Sequence, residues 1–87
     1  MVGKEHTNPY IVVLRCDDHA AETEASEYLK AKAKKCVVKS KTARQGEIEL
    51  NMEIRLADDN TDFINELAAM NGVESAVLVS YNGDYAG

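Results

Sequence analysis

Residues 47–56 read Glu-Ile-Glu-Leu-Asn-Met-Glu-Ile-Arg-Leu, and polar and apolar side chains alternate strictly over the whole stretch. An alternation with a period of two is typical of a β-strand that buries one face and leaves the other in water. This stretch therefore predicts a long, half-buried strand near the centre of a sheet. Its core face is predicted to consist of Ile48, Leu50, Met52, Ile54 and Leu56.

A β-hairpin is predicted immediately before this strand. Residues 36–42 read as a partner strand, and residues 43–46 form a short connection whose glycine can adopt the positive φ that hairpin loops need. Opposite charges that face each other across two strands favour one register over its neighbours. The predicted register pairs Lys39 with Glu49, Lys41 with Glu47, and Val38 with Leu50.

The remaining elements lie on either side of the hairpin. Residues 10–16 are nearly all apolar, which favours a central strand, and residues 73–81 are predicted to form the last strand. Helical spacing of apolar side chains predicts a first helix that ends near Lys34 and a second helix that contains Phe63 and Leu67. The order β-α-β-β-α-β predicts an α+β domain of the ferredoxin-like type, a four-stranded antiparallel sheet with two helices on one face.

Both predicted helices carry boundary signals. Asp17 and Asp18 each offer a carboxylate that can cap the first helix. Gly72 follows the second helix and can take the positive φ that commonly ends helices. These local signals place both helices between strands, as the fold requires.

The composition indicates one small domain that folds in water. The chain has 87 residues, of which 45% are hydrophobic and 29% charged, values that are ordinary for globular domains. The formal charge of −5 repels phosphate backbones, so we expect no nucleic-acid partner. The longest apolar run, residues 10–14, is far shorter than the about 20 residues that a membrane-spanning helix needs. The two cysteines are expected to be free thiols in a reducing cytoplasm.

The chain divides into three predicted parts. Residues 1–8 are polar and without a pattern, and are interpreted as a linker or a terminal extension. Residues 9–81 are predicted to form the domain, and residues 82–87, which begin with turn-forming residues, a C-terminal tail.

The segment Cys16-Asp17-Asp18-His19, between the first strand and the first helix, is the strongest candidate for a ligand site. A thiolate and an imidazole three residues apart can both reach a soft or borderline metal ion. One interpretation is that Cys16 and His19 bind a metal ion, or that all four residues bind a small ligand. The other is that Cys16 ends a buried strand, an aspartate caps the helix, and His19 lies exposed.

No catalytic constellation is recognisable in the sequence. A nucleophile needs a positioned base and an oxyanion pocket, and no glycine-rich turn is present to form that pocket. The glutamates of the strand 47–56 are explained by pairing with lysines of its neighbour. We therefore expect no enzymatic activity and no cofactor, and the identity of any small-molecule ligand stays open.

A basic stretch begins in the second half of the first predicted helix. Residues 30–35 contain four lysines, and Lys39, Lys41 and Arg44 continue the positive charge. Such a stretch is either a solvated face or a docking site for an anionic lipid headgroup.

The last predicted strand is the candidate interaction surface. It carries few charges, and an uncharged edge strand offers its backbone to another strand. Val77, Val79 and Tyr81 are the expected contacts. The predicted function is a non-enzymatic regulatory or oligomerisation module that forms a homodimer. The alternative is a small-ligand or metal sensor that uses the loop after the first strand.

From Pro9 to Ser80 the order of elements resembles that of ACT and ACT-like regulatory domains. ACT domains that bind amino acids usually carry a glycine in the loop after the first strand and pair edge to edge. The corresponding loop here, residues 16–19, is acidic and contains no glycine. The resemblance therefore favours assembly over amino-acid sensing.

Four segments carry a second resemblance, namely Lys39-Ser-Lys-Thr42 followed by Gly46, Glu53-Ile-Arg-Leu56, Phe63-Ile-Asn-Glu-Leu67, and Gly72-Val-Glu-Ser-Ala-Val-Leu-Val-Ser-Tyr81. They resemble the soluble C-terminal domain of uncharacterised bacterial multi-spanning membrane proteins, some related to the MgtC group and some found with polyphosphate polymerases. This resemblance implies a cytoplasmic domain, tethered to the inner membrane through a membrane-spanning region outside this chain. Residues 4–8 would be the tether.

Overall fold

Four strands and two helices make up the described part of the chain. The computed structural model describes residues 8–58 and 60–80. All strand pairs are antiparallel, and the strand order in the sheet is β2-β3-β1-β4. The predicted fold class is confirmed. The elements are β1 (Asn8–Cys16), α1 (His19–Lys32), β2 (Lys35–Arg44), β3 (Glu47–Leu56), α2 (Phe63–Ala68) and β4 (Val73–Ser80).

Element boundaries differ from the predicted ones by a few residues. β1 begins at Asn8, and α1 ends two residues before the predicted Lys34. The helix stops because Ala33 is extended and the N–H of Lys34 donates to the Arg55 carbonyl at 2.8 Å, which starts the pairing of β2 with β3. The rest of the predicted linker, Tyr81 and the predicted tail lie outside the described residues.

The hydrophobic core lies between the helices and one face of the sheet. β3 contributes every second residue to it, as its alternation predicts, and β1 contributes its own alternate side chains. Ile48, at the start of β3, is only partly buried. The core therefore occupies the helix side of the sheet, and no described residue forms a layer over the opposite face, here called the outer face. The buried residues are Val12, Leu14, Cys16, Ala21, Ala25, Leu29, Leu50, Met52, Ile54, Leu56, Phe63 and Leu67.

The predicted hairpin register is wrong. β2 continues to Arg44, which pairs with Glu47, so only two residues connect the strands instead of the predicted four. Gly46 takes the positive φ of 76° in this tighter connection. A shorter connection changes the register of the whole hairpin, because the loop length sets which residues face each other. The observed pairs include Val38 with Met52 and Lys41 with Leu50.

An irregularity between Val38 and Ser40 shifts the register a second time. A β-bulge of this kind places two residues of one strand opposite one residue of its neighbour. As a result, the predicted ion pairs across the hairpin do not form. Lys39 Nζ lies 3.9 Å from Glu53 Oε1, and Lys41 Nζ lies 2.8 Å from Glu22 Oε2 on α1.

The predicted cap of α1 is confirmed, whereas α2 ends at Ala68, four residues before the predicted Gly72. The backbone N–H of Ala21 donates to Asp18 Oδ1 at 3.0 Å, which identifies Asp18 as the N-terminal cap of α1. Gly72, after α2, has a φ of 85°. The Gly72 carbonyl accepts a hydrogen bond from the Asp17 N–H at 2.8 Å, so the start of β4 and the loop after β1 are joined directly.

Candidate interaction surface

An apolar patch lies on the outer face where β1 meets β4. Val12 and Leu14 of β1 point into the core, so the residues that alternate with them, Ile11 and Val13, face outward. In the β1–β4 register Ile11 pairs with Val79, and Val13 pairs with Val77. Val77 and Val79 are 47% and 49% exposed. These four side chains, Ile11, Val13, Val77 and Val79, are called the apolar patch below.

The two edge strands of the sheet differ in charge. β4 contains one charged residue, Glu74, whereas β2 carries four basic residues and the bulge. Lysines and bulges on an edge strand hinder its pairing with another strand. β4 is therefore the edge that is open to pairing, and it borders the apolar patch. The basic residues of β2 are Lys35, Lys39, Lys41 and Arg44.

The other half of the outer face, on β3 and β2, is mainly polar, with Val37 as an exposed apolar side chain. Arg15 Nε lies 3.3 Å from Glu49 Oε1 and 3.5 Å from Glu47 Oε2. Asn51 Nδ2 donates to Ser40 Oγ at 3.0 Å. Because these groups satisfy one another, this half of the outer face can remain in water, and the apolar patch is confined to the β4 side.

The sequence identified part of this surface. Val77 and Val79 were predicted as contacts, and they are exposed on an edge strand. Tyr81 lies outside the described residues. The sequence did not predict that Val77 and Val79 lie beside aliphatic residues of β1. Only the β1–β4 register brings Ile11 beside Val79.

The loop after β1 places its predicted ligand residues in different environments. Cys16 is fully buried in the core. Burial raises the pKa of the Cys16 thiol, and the carboxylates of Glu22, Asp17 and Asp18 raise it further. A buried thiol with a raised pKa stays protonated, whereas metal binding requires the thiolate. The Asp18 carboxylate accepts the capping hydrogen bond of α1.

His19 is exposed at the first residue of α1, and its Nδ1 lies 3.0 Å from Glu22 Oε1. Within the described ranges, no group of three or more His, Cys, Asp or Glu side chains is arranged to hold a metal ion. Cys16 and Cys36 are both free, as predicted. The roles of Cys16, Asp17, Asp18 and His19 in binding a ligand or a metal ion stay predictions.

Glu22 links α1 to the edge strand β2. Its carboxylate lies 2.8 Å from Lys41 Nζ and 3.0 Å from His19 Nδ1. The hydrogen bond from Lys41, helped by that from His19, lowers the pKa of the Glu22 carboxyl below its ordinary value, against the opposing effect of burial. A lowered pKa in the folded state stabilises the protein above the unfolded-state pKa, and this stabilisation is lost as the pH falls through the folded-state value.

We therefore expect the Glu22→Gln variant to lose stability less steeply than the wild type when the pH is lowered from 5 to below the folded-state pKa of Glu22. At neutral pH the variant should be less stable, because Lys41 loses its partner. Urea denaturation over a pH series measures both effects. Glu24→Gln is the matched control, since Glu24 is exposed on the same helix and forms no ion pair with a described residue. Parallel pH profiles for the wild type and Glu22→Gln would contradict the prediction.

Comparison with known proteins gives a likeness in fold. No protein-family model matches the sequence, and no curated protein is significantly similar to it. A solved structure with the same fold is the solution structure of the C-terminal domain of the MgtC protein from Mycobacterium tuberculosis, with a TM-score of 0.69. The match covers 99% of this chain and 100% of that domain at 18% sequence identity. The chain is similar in fold to an MgtC C-terminal domain.

This likeness agrees with the resemblance to MgtC-related C-terminal domains that the sequence indicated. At 18% sequence identity it is evidence for a shared fold alone. The ACT-like assignment stays a prediction. In the part of the chain that the structure describes, neither helix is long and apolar enough to cross a membrane.

Proposed function

We propose that this chain is a non-enzymatic regulatory and oligomerisation domain, carried on the cytoplasmic side by a membrane protein, and that two copies associate through β4. The apolar patch beside an edge strand with a single charged residue supports the association. The fold likeness to a C-terminal domain of MgtC supports attachment to a membrane protein. The gene sequence upstream of residue 1 tests the attachment separately. Hydrophobic spans in the same reading frame would support it.

A second copy of the chain fits β4 better than it fits β2. Two copies of β2 would bring their basic residues together, and like charges across paired strands are destabilising. Two copies of β4 can pair antiparallel about a two-fold axis, which extends the sheet across both domains. When Leu78 lies on the axis, Val77 of one copy faces Val79 of the other, and the two apolar patches become continuous.

The resulting interface is small. Each copy contributes one strand of 8 residues and a few aliphatic side chains. Interfaces below about 1,200 Å² are typical of weak and transient association. Self-association is therefore expected to depend on concentration, and in a membrane protein it would be strengthened by tethering several copies side by side.

Val77→Lys is expected to abolish the association. A lysine on an edge strand opposes pairing, and this one would have to be desolvated beside the valines of the second copy. Light scattering coupled to size-exclusion chromatography, at increasing protein concentration, measures the molar mass. We expect the wild type to approach the mass of a dimer and Val77→Lys to remain a monomer.

Val37→Lys is the matched control. Val37 is 40% exposed, close to the 47% of Val77, and it lies on the outer face of the opposite edge strand. The chemical change is the same, so both variants add the same charge to a similar position. Val37→Lys should dimerise like the wild type. A wild-type chain that stays monomeric at the highest concentration, or equal loss of dimer in both variants, would refute association through β4.

A further inference from the structure

A group of basic residues lies on the outer face where β2 begins and β3 ends. Lys35 pairs with Arg55 across the two strands, and the N–H of Lys34 donates to the Arg55 carbonyl at 2.8 Å. Lys39 follows four residues after Lys35 on β2 and lines one cleft with Lys35 and Arg55. These three residues, Lys35, Lys39 and Arg55, are called the basic corner.

A shallow cleft of about 200 Å³ opens among Lys35, Lys39 and Arg55, and Val37 and Glu53 complete its lining. Within the described residues, Glu53 is the acidic partner of this group: its carboxylate lies 3.9 Å from Lys39 Nζ and 3.8 Å from the Arg55 guanidinium. Lys35 forms no ion pair with any described residue. Three cations therefore line the cleft beside one carboxylate, although the chain as a whole carries a charge of −5.

Among the described residues, three other acidic side chains at this end of the domain lie on a different side. Asp58, Asp62 and Glu66 line a separate cleft around Tyr28, on the helix side of the sheet. Glu66 Oε1 accepts a hydrogen bond from the Tyr28 hydroxyl at 2.7 Å. The cations of the basic corner thus lie on the outer face of the sheet, away from this acidic cleft on the helix side.

The chain enters the domain beside the basic corner. Pro9 on β1 pairs with Arg55 on β3, and Arg55 pairs in turn with Lys35 on β2. Because neighbouring strands lie about 4.8 Å apart, Pro9 and Lys35 are separated by about 10 Å. Residues 1–7 can span at most about 25 Å when fully extended. A membrane-spanning segment before residue 1 would therefore keep the basic corner close to the lipid surface.

We propose that the basic corner docks the domain on an anionic lipid surface. This inference rests on the membrane attachment in the proposed function, and it adds the orientation of the domain and the chemistry of its partner. Each Lys or Arg near an anionic surface contributes attraction without needing a shaped pocket, and the half-exposed Val37 lies among the cations where it can contact the headgroup region. A nucleic acid fits less well, because the corner contains no aromatic side chain for stacking bases.

The test is co-sedimentation of the 87-residue chain with lipid vesicles. We expect binding to vesicles of phosphatidylglycerol and phosphatidylcholine in equal parts, and none to phosphatidylcholine alone. Binding should weaken as salt is added, because the screening length falls from about 10 Å at 0.1 M to about 3 Å at 1 M. Vesicle binding needs no membrane-spanning segment, so the isolated chain is sufficient.

Substitutions then locate the surface. An attraction of about 1 kcal/mol per basic residue corresponds to an about fivefold change in the partition coefficient. We expect Lys35→Gln to weaken binding about fivefold and the Lys35→Gln/Lys39→Gln double variant about 25-fold. Arg44→Gln is the matched control: it removes one positive charge from an exposed residue at the opposite end of β2. Its binding should stay within twofold of the wild type, about the reproducibility of such assays.

Three results would overturn the proposal: no binding to anionic vesicles at low salt, equal weakening by Lys35→Gln and Arg44→Gln, or binding to duplex RNA without binding to vesicles. The outcome is separable from that of self-association. If the chain binds vesicles but is monomeric by light scattering, lipid docking is supported and pairing through β4 is refuted. If the chain dimerises but does not bind anionic vesicles, pairing through β4 is supported and lipid docking is refuted.

Discussion

Replacing Gly72 with alanine is expected to lower the free energy of unfolding by about 2–5 kcal/mol. Gly72 has a φ of 85°, and an L-residue in this left-handed region costs about 1–2 kcal/mol. A Cβ at this position would also lie 2.7 Å from the Cβ of Ala21. Because real Cβ atoms do not approach so closely, the backbone has to shift, at a cost of about 1–3 kcal/mol.

The shift matters because the surroundings of Gly72 are rigid. Ala21 is buried in the first part of α1, and its N–H is held by the Asp18 cap. The Gly72 carbonyl accepts the hydrogen bond from Asp17 that joins β4 to the loop after β1. Moving α1 away from β4 would strain these contacts together, so the alanine cannot be accommodated by one flexible side chain.

Gly46→Ala separates the two contributions. Gly46 has a similar φ of 76°, but a Cβ there would meet nothing within 4 Å. Its replacement should cost only the backbone contribution of about 1–2 kcal/mol. Urea denaturation of both variants at neutral pH measures the difference. Equal losses for Gly72→Ala and Gly46→Ala would show that the close approach to Ala21 does not limit stability.

Leu29→Ala is expected to lower the free energy of unfolding by about 2–5 kcal/mol. Leu29 is fully buried on α1 within the core cluster, so its truncation leaves a cavity that the sheet and α2 can fill only partly. A domain of 87 residues has a total stability of about 4–13 kcal/mol, so this single change removes a large fraction of it. The midpoint of urea or thermal unfolding should fall accordingly.

Leu78→Ala is the control for this prediction. It deletes the same atoms from a side chain that is only partly buried against the core on the edge strand β4. Its loss should be clearly smaller, because surrounding water already contacts part of the leucine and less apolar area is removed from burial. If Leu78→Ala were as destabilising as Leu29→Ala, burial in the core would not be what makes Leu29 important.

The parts of the fold that were predicted correctly depend on local signals. The period of two in residues 47–56 identified a half-buried strand, because successive side chains of a strand point to opposite faces. Asp18 was one of two predicted caps, and it bonds to an N–H only three residues away. Gly72 takes the predicted positive φ, which its missing Cβ permits, in the turn directly before β4.

The register of the hairpin could not be obtained in the same way. Charge complementarity predicted that Lys39 pairs with Glu49. The two-residue connection and the bulge give β2 and β3 a different register. An exposed ion pair contributes little, about 0–1 kcal/mol, so it cannot determine register against backbone hydrogen bonds and the tight turn at Gly46. Lys41 consequently reaches Glu22 on α1 instead of Glu47.

Local patterns in the sequence were sufficient to predict the element order, the core face of β3 and the weakly charged last strand, because these depend on side-chain period, caps and composition within short segments. The surfaces that these elements form together depend on their tertiary arrangement. The β1–β4 register joins Val13 to Val77 in the apolar patch, and the pairing across β1, β3 and β2 brings Lys35 near the point where the chain enters the domain. Contacts between distant segments depend on backbone pairing and loop closure, which no short stretch of sequence specifies.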